Sequence, residues 1–170
     1  EIWKADMAEQ GTFWLSDTPK KPGSMTWGNR VTRICSWVRL IGKKGKSLYV
    51  YNTHWDHQSQ PSREKAAELI LKRISERKHP SDPVILMGDF NATTANPAIK
   101  TLIKSGALVD HGGERQKQTF NFWKPGLNEG LRIDHIFTTP LIEKAKIEVP
   151  AASDPVASDH NPVILTFDGI

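Results

Sequence analysis

Cysteine is nearly absent from this chain, and its scarcity removes two classes of protein at once. Cys35 is the only cysteine in 170 residues. No internal disulfide can form, and a cysteine-based metal site is excluded. Long apolar runs are missing as well, so nothing in the sequence reads as a membrane-spanning helix. There is no Gly-rich phosphate loop of the nucleotide-kinase type. Neither a Gly-x-Ser-x-Gly elbow nor a His-Glu-x-x-His metal motif occurs. Repeats and low-complexity tracts are also lacking. The first residue is Glu1 rather than Met, and the opening stretch does not have the pattern of a signal peptide.

What remains is the composition of a globular protein. The apolar fraction is 38% and the charged fraction 25%, which fits one domain with a packed core. The formal net charge is +4 and the isoelectric point about 9.2. The excess comes largely from Lys20, Lys21, the 43–46 turn and the 72–79 stretch. It reads either as solvated surface or as attraction for a phosphate-bearing substrate. No long basic or aromatic-rich arm for nucleic acid is evident.

Along the chain, residues 1–30 read as irregular, with Pro19, Pro22, Gly23 and Gly28 and little periodicity. Residues 32–41 alternate as a strand, with Ile34, Val38 and Leu40 on one face and Arg33, Cys35, Trp37 and Arg39 on the other. A basic turn at 42–45 leads into a second strand at 47–53, so 32–53 is expected to be a hairpin. The spacing of Ala67, Ile70, Leu71 and Ile74 predicts a helix over 61–78, opened by Pro61 and closed before Pro80. Residues 84–87 are wholly apolar, as in a strand buried on both faces. A second helix is predicted at 97–105, with Asn96 as its N-cap and Ile99, Leu102 and Ile103 on its buried side. Later strands are expected at 131–138, 145–149 and 162–167. Strands mixed with helices give an α/β layered fold.

Four polar segments adjoin these apolar strands. The first is Asn52-Thr53-His54-Trp55-Asp56-His57, whose two histidines and one aspartate are either a metal cluster or structural. The second is Gly88-Asp89-Phe90-Asn91, where alternation places Asp89 and Asn91 together and Phe90 in the core. A carboxylate can orient or deprotonate water while an amide donates to a phosphoryl oxygen; the bland alternative is an Asx turn. The third is Arg132-Ile133-Asp134-His135-Ile136-Phe137, in which Asp134 shares a face with Ile136 and therefore needs a partner such as a histidine. The fourth is Ser158-Asp159-His160-Asn161-Pro162-Val163, a polar turn that can aim both Asp159 and His160 at one site.

Order and spacing of these segments resemble the endonuclease/exonuclease/phosphatase superfamily of metal-dependent phosphoesterases. The resemblance runs over roughly 13–167 and includes Thr119-Phe120 ahead of the third segment. Where related chains carry His-Gly-Phe, this one has Asn121-Phe122-Trp123. The resemblance implies the C-terminal portion of a four-layer α/β sandwich, with mixed and mainly antiparallel sheets flanked by helices, as one partial domain over 1–170. It implies Asp89 acting on the attacking water, Asn91 holding that water or a phosphoryl oxygen, His54 as a phosphate donor, His160 on the scissile phosphate, and Asp134 orienting His160. Asp159, together with Asp89, would hold Mg²⁺ or Mn²⁺. Asp56, His57, Asn121 and Trp123 become supporting or substrate-facing residues. Phe120, Phe122 and Trp123 either stack on a substrate or form a core cluster beside the site.

The family's principal metal-binding Glu and an Asn before it have no counterpart in 1–12, since Glu1 and Glu9 lack an apolar strand context. The chain therefore reads as missing an N-terminal portion of the domain. The expected consequence is an open-edged hairpin with an uncovered apolar face, prone to self-association or to pairing with a complementary fragment. Three functions stay open: a phosphodiesterase or phosphomonoesterase for small or sugar phosphates, a nuclease, and an incomplete, non-catalytic fragment.

Overall fold

The computed structural model describes residues 2–112, 118–124, 130–151, 154–168 and 170. A six-stranded sheet runs in the order β1-β2-β3-β4-β6-β5. Its strands are β1 (Lys4–Trp14), β2 (Ile34–Ile41), β3 (Ser47–His54), β4 (Val84–Asp89), β5 (Val109–Asp110) and β6 (Asp134–Thr138). All neighbours are antiparallel except β3 and β4. That parallel pair requires a crossover, and helix α1 (Gln60–Ser75) supplies it. Helix α2 (Pro97–Lys104) follows β4. A separate two-stranded sheet joins β7 (Lys146–Glu148) to β8 (Ile164–Thr166).

Side-chain alternation divides the packing between the two faces of the large sheet. Tyr49, Tyr51, Val84, Leu86 and Phe137 point to one face, where they meet Ala67, Ile70 and Ile74 of α1 and Ile99 and Leu102 of α2. Leu48, Ile85 and Ile136 point to the other, against Ile147 of β7 and Leu165 of β8. Helices, large sheet and small sheet thus form successive layers. Each fully buried Leu, Ile or Phe contributes roughly 1.5–3 kcal/mol.

Local signals set most of the boundaries. The Ser59 side chain accepts a hydrogen bond from the Ser62 amide at 3.2 Å, and Pro61 lies in the first turn of α1. The helix stops at Ser75, three residues before its expected end at 78. Arg77 folds back and donates to the carbonyls of Ile74 (2.7 Å) and Asp82 (3.0 Å), which satisfies a free helix-end carbonyl. Asn96 caps α2 by accepting from the Ala98 amide at 2.9 Å. Ile103, expected on its buried side, is 37% exposed because α2 presents only Ala98, Ile99 and Leu102 to the core.

Two further expectations are corrected. Residues 4–14, read as irregular, form β1, the longest strand, because β2 provides a partner from Ile41 back to Ile34. Its own sequence shows no clean alternation, and the register shifts between Ala5 and Gln10. The outer edge of the 32–53 hairpin is consequently covered. One edge of the sheet is β1, blunted by Lys4, Asp6 and Glu9; the other is the short β5. Glu9 accepts from the buried Tyr49 hydroxyl at 3.1 Å, at the far end of β3 from His54; Glu1 lies outside the described residues. The sheet face around Val38, Val50 and Met87 forms an open hollow beside Gln10, Thr12, Ser36 and Asn52. No helix among the described residues is long and apolar enough to cross a membrane.

One core residue makes the fold sensitive to acid. His135 is 1% exposed, stacked near Phe90 and Phe137, and its Nε2 donates to the Ala92 carbonyl at 2.8 Å. Burial pushes its pKa down to about 4, against the smaller upward pull of that hydrogen bond. Between pH 4 and 6.5 the unfolded chain therefore binds the proton and the folded chain does not, so stability rises with pH across this window. The expected gain is roughly 3 kcal/mol from acid to neutral. Urea unfolding across this range should show it, and a His135→Leu variant should flatten the slope. An equally steep slope in the variant would rule His135 out as its source.

Candidate active site

Three strand ends meet in one row. β3 ends at His54, β4 ends at Asp89 and β6 begins at Asp134. Register pairs His54 with Asp89 and Asp89 with Asp134. Each stands three residues from a helix-side core residue, Tyr51, Leu86 and Phe137 respectively. An odd offset on an extended strand reverses direction, so all three project from the face opposite the helices. Below them Phe90 and Trp55 pack edge to face at 4.7 Å and anchor the chain leaving β4 and β3.

A fourth group arrives from the C-terminal loop. His160 pairs with Phe120 in an isolated bridge, and its Nδ1 donates to Asp134 Oδ2 at 2.7 Å. That bond leaves Nε2 facing Asp89 Oδ2 at 3.9 Å. On the other side, His54 Nε2 stands 3.2 Å from the same Asp89 oxygen. Asp89 thus lies between two imidazoles, with Asp134 orienting one of them.

The electrostatics follow from this crowding. Burial raises the Asp89 pKa, and the like charge of Asp134 adds to the rise, against the Asn91 amide and the two imidazoles. Burial also lowers His54, an effect strengthened by the Arg33 charge and opposed by Asp89. For His160, burial pulls downward. The hydrogen bond to Asp134 and the charges of Asp134, Asp89 and Asp159 together outweigh it, and the net shift is upward. A carboxylate pushed up beside a histidine pushed up suits proton transfer near neutral pH.

Asn91 enters the site by a turn rather than by strand alternation. Its φ is +47°, its amide donates to Asp89 Oδ1 at 2.8 Å, and its Nδ2 donates to the Trp55 carbonyl at 3.0 Å. The Asx turn and the functional placement are therefore the same feature. Phe90 is fully buried, as the alternation required.

Asp56 sits apart from this row. It is 2% exposed and accepts from the amides of Gln58 and Ser59 at 2.8 and 2.6 Å, which shapes the entry to α1. His57 is exposed and accepts from Arg33. Asn121 is buried, donating to the Ser158 carbonyl at 3.1 Å and to Asn161 Oδ1 at 2.9 Å. Its backbone amide bonds the Asp159 carbonyl at 2.7 Å. Phe122 and Trp123, 48% and 60% exposed, have φ of +55° and +63°. With Phe120, whose ring lies 5.0 Å from that of His160, they make an exposed aromatic lip rather than a core cluster.

Two residues of the sequence motifs have positioning contacts that the sequence reading did not assign. Thr119 Oγ1 accepts from the amides of both Ile133 and Asp134 at 3.0 Å, fixing the start of β6. The Asn161 amide bonds the Thr119 carbonyl at 2.6 Å, tying the His160 loop to it. The available signal was their place in the motifs, Thr119 ahead of the third segment and Asn161 within the fourth; both are buried.

Ligand atoms of Asp89, Asp134 and His160 all lie within 4.8 Å of one another, so the group could hold a metal ion. Because His160 Nδ1 carries the proton given to Asp134, the donors facing inward are mainly carboxylate oxygens. Such a set fits a hard divalent cation that keeps waters and substrate oxygens as its other ligands. The Asp159 carboxylate is outside this group.

Acids and histidines are thus gathered at the ends of adjacent sheet strands, an arrangement chemically capable of proton transfer and of holding a cation. A model of the endonuclease/exonuclease/phosphatase family matches residues 10–160, and the chain belongs to that family. A mannosyl-6-phosphatase of Bacteroides thetaiotaomicron is 31% identical, with a TM-score of 0.81 over 96% of this chain and 68% of that one. A family protein from Bacteroides vulgatus is 28% identical, with a TM-score of 0.83 over 98% of this chain and 67% of that one. The TDP2 of D. rerio, complexed with a single-strand DNA product, shares the fold at 18% identity and a TM-score of 0.69, over 98% of this chain and 68% of that one. The chain thus spans 66–68% of the length of the Bacteroides structures. A search of the curated proteins finds no match.

Proposed function

We propose that this chain carries the catalytic groups of a divalent-metal-dependent phosphoester hydrolase acting on a small phosphorylated molecule, such as a sugar phosphate. The observation that carries the reading is His160, bonded to Asp134 on one nitrogen and turned toward Asp89 on the other. Asp89 takes the proton of the attacking water. His160 donates to the scissile phosphate while Asp134 fixes its tautomer. His54 and Asn91 donate to the remaining phosphoryl oxygens. Asp89 with Asp159 or Asp134 would hold Mg²⁺ or Mn²⁺, and such an ion supplies charge stabilisation for the phosphoryl and leaving oxygens. Trp123, exposed in the segment that follows Phe120, contacts the leaving group. Asp56 and Asn121 hold the loops that carry these residues. The Bacteroides relative named a mannosyl-6-phosphatase supports a sugar-phosphate substrate. The net charge of +4 gives some support to nucleic acid.

The test is hydrolysis of 4-nitrophenyl phosphate, bis(4-nitrophenyl) phosphate and a panel of DNA and RNA, with Mg²⁺, with Mn²⁺ and with EDTA. Metal-dependent turnover of the small esters is expected. Turnover of nucleic acid alone would replace this reading with a nuclease. A folded chain inert on every substrate would make it a non-catalytic piece.

A further inference from the structure

Arg33 stands at the end of the same sheet edge and makes no close ion pair among the described residues. It directly precedes β2, whose first residues pair with the last of β3: Cys35 faces Thr53, and the Thr53 hydroxyl donates to the Ile34 carbonyl at 3.0 Å. The Arg33 carbonyl is also fixed, accepting from the Leu15 amide at 2.8 Å. Its backbone is therefore held on both sides, one strand over from His54.

The guanidinium has little to bind within the protein. Its Nη2 donates to His57 Nδ1 at 3.1 Å. Its Nε is buried without a hydrogen-bond partner. Among the described residues, no carboxylate oxygen lies within the 4.0 Å of an ion pair with it. The nearby Asp56 turns its Oδ1 to the amides of Gln58 and Ser59 and is the carboxylate that feels the Arg33 charge, without an ion-pair contact. The Arg33 charge also helps lower the pKa of His54, one strand over. A partly buried cation whose countercharge acts only from a distance has room for a closer anion from a ligand.

His57 completes the arrangement. Arginine can only donate, so His57 Nδ1 accepts, and the ring's proton sits on Nε2 as a further donor. Arg33 and His57 together thus offer a fork of N–H groups and one full positive charge beside the row of His54, Asp89 and Asp134.

We infer that Arg33, positioned by His57, is a specificity-determining anion-binding residue that selects phosphomonoesters, as dianions, over phosphodiesters. The inference rests on the phosphoester-hydrolase reading above. A monoester presents a second negative charge and a third terminal oxygen where a diester carries a neutral ester group. An added cation therefore favours the monoester by simple Coulomb attraction, and a guanidinium fork can bind two of its oxygens.

Two measurements separate this inference from the reading beneath it. The first is calorimetric binding of inorganic phosphate at pH 8, in Mg²⁺ buffer, to the wild type and to Arg33→Gln, Arg33→Lys and His57→Ala. Arg33→Gln should weaken phosphate by about 10- to 100-fold, and Arg33→Lys should recover part of the loss. His57→Ala should weaken it less than Arg33→Gln. The second is the ratio of kcat/KM for 4-nitrophenyl phosphate to that for bis(4-nitrophenyl) phosphate. Arg33→Gln should lower that ratio by about tenfold or more, mainly through KM for the monoester. Circular dichroism confirms folding, with Arg33→Lys as the conservative check. Unchanged phosphate affinity in Arg33→Gln, or no phosphate binding by the wild type, overturns the inference even if hydrolysis proceeds. Weakened phosphate binding in a chain that hydrolyses neither ester upholds the anion site and overturns the hydrolase reading instead.

Discussion

Replacement of Asp89 by Ala is expected to lower kcat on either nitrophenyl ester roughly a thousandfold, within the range ascribed to a positioned general base. The carboxylate lies between the His54 and His160 imidazoles and shares its neighbourhood with Asp134. No other described carboxylate stands between two histidines, so no neighbour can replace it. Asp89→Ala also deletes the acceptor of the Asn91 amide, and Asn91 sits at φ +47°. Loss of activity in that variant alone would therefore mix chemistry with a relaxed turn. Asp89→Asn separates the two, because its side-chain oxygen can still accept from the Asn91 amide while the charge is gone. It should be equally inactive but fully folded. It should also melt no lower than the wild type, since burial and Asp134 both disfavour the ionised form that it replaces. Initial rates at saturating ester and a thermal melt decide the matter. An Asp89→Asn variant within tenfold of wild-type rate would remove Asp89 from the proton-transfer role.

The parts of this fold that could be read from sequence are those fixed locally. The apolar run before Asp89, the Asn96 cap and the Pro61 entry to α1 each carry their signal within a few residues, and each element starts within a residue of where it was expected. β1 could not be read in this way. Its residues gain a strand conformation from the backbone of β2, and only Thr12, Phe13 and Trp14 look like strand formers. The end of α1 depends on Arg77 folding back, which is a tertiary contact. A similar split runs through the site. His54, Asp89 and Asp134 announced themselves because each ends or begins an apolar strand, and Asp134 called for a partner that proved to be His160. Thr119 and Asn161 belong to the motifs, but their roles were not legible, because these arise from contacts across 14 to 42 residues of chain. Arg33 was read only as one position on the outer face of a strand. Its meaning depends on which charges fail to reach it, and no spacing rule reports that.

The second large effect concerns geometry rather than charge. Gly88→Ala is expected to lower the melting temperature by roughly 10 °C or more and to abolish activity along with it. Gly88 has φ of +145°, where other residues are strained. More decisively, an added Cβ would lie 1.9 Å from the Thr53 carbonyl oxygen, 2.9 Å from its carbon and 3.0 Å from the Thr53 amide nitrogen. These are backbone atoms of the paired strand, so no side-chain rotation relieves the clash. β3 and β4 would have to part at the Thr53–Gly88 pair, one residue before the His54–Asp89 pair. A shift of even 1 Å there moves the base away from its neighbours, a displacement that can itself cost about a hundredfold in rate. Gly106→Ala is the matched control. It also has positive φ, +70°, but a Cβ there meets nothing within 4 Å. It should cost only about 1 kcal/mol and leave the site intact. If Gly88→Ala melts within a few degrees of Gly106→Ala, the close approach of the two strands does not constrain this position. The row of site residues would then be held by packing of Phe90 and Trp55 rather than by the ladder above them.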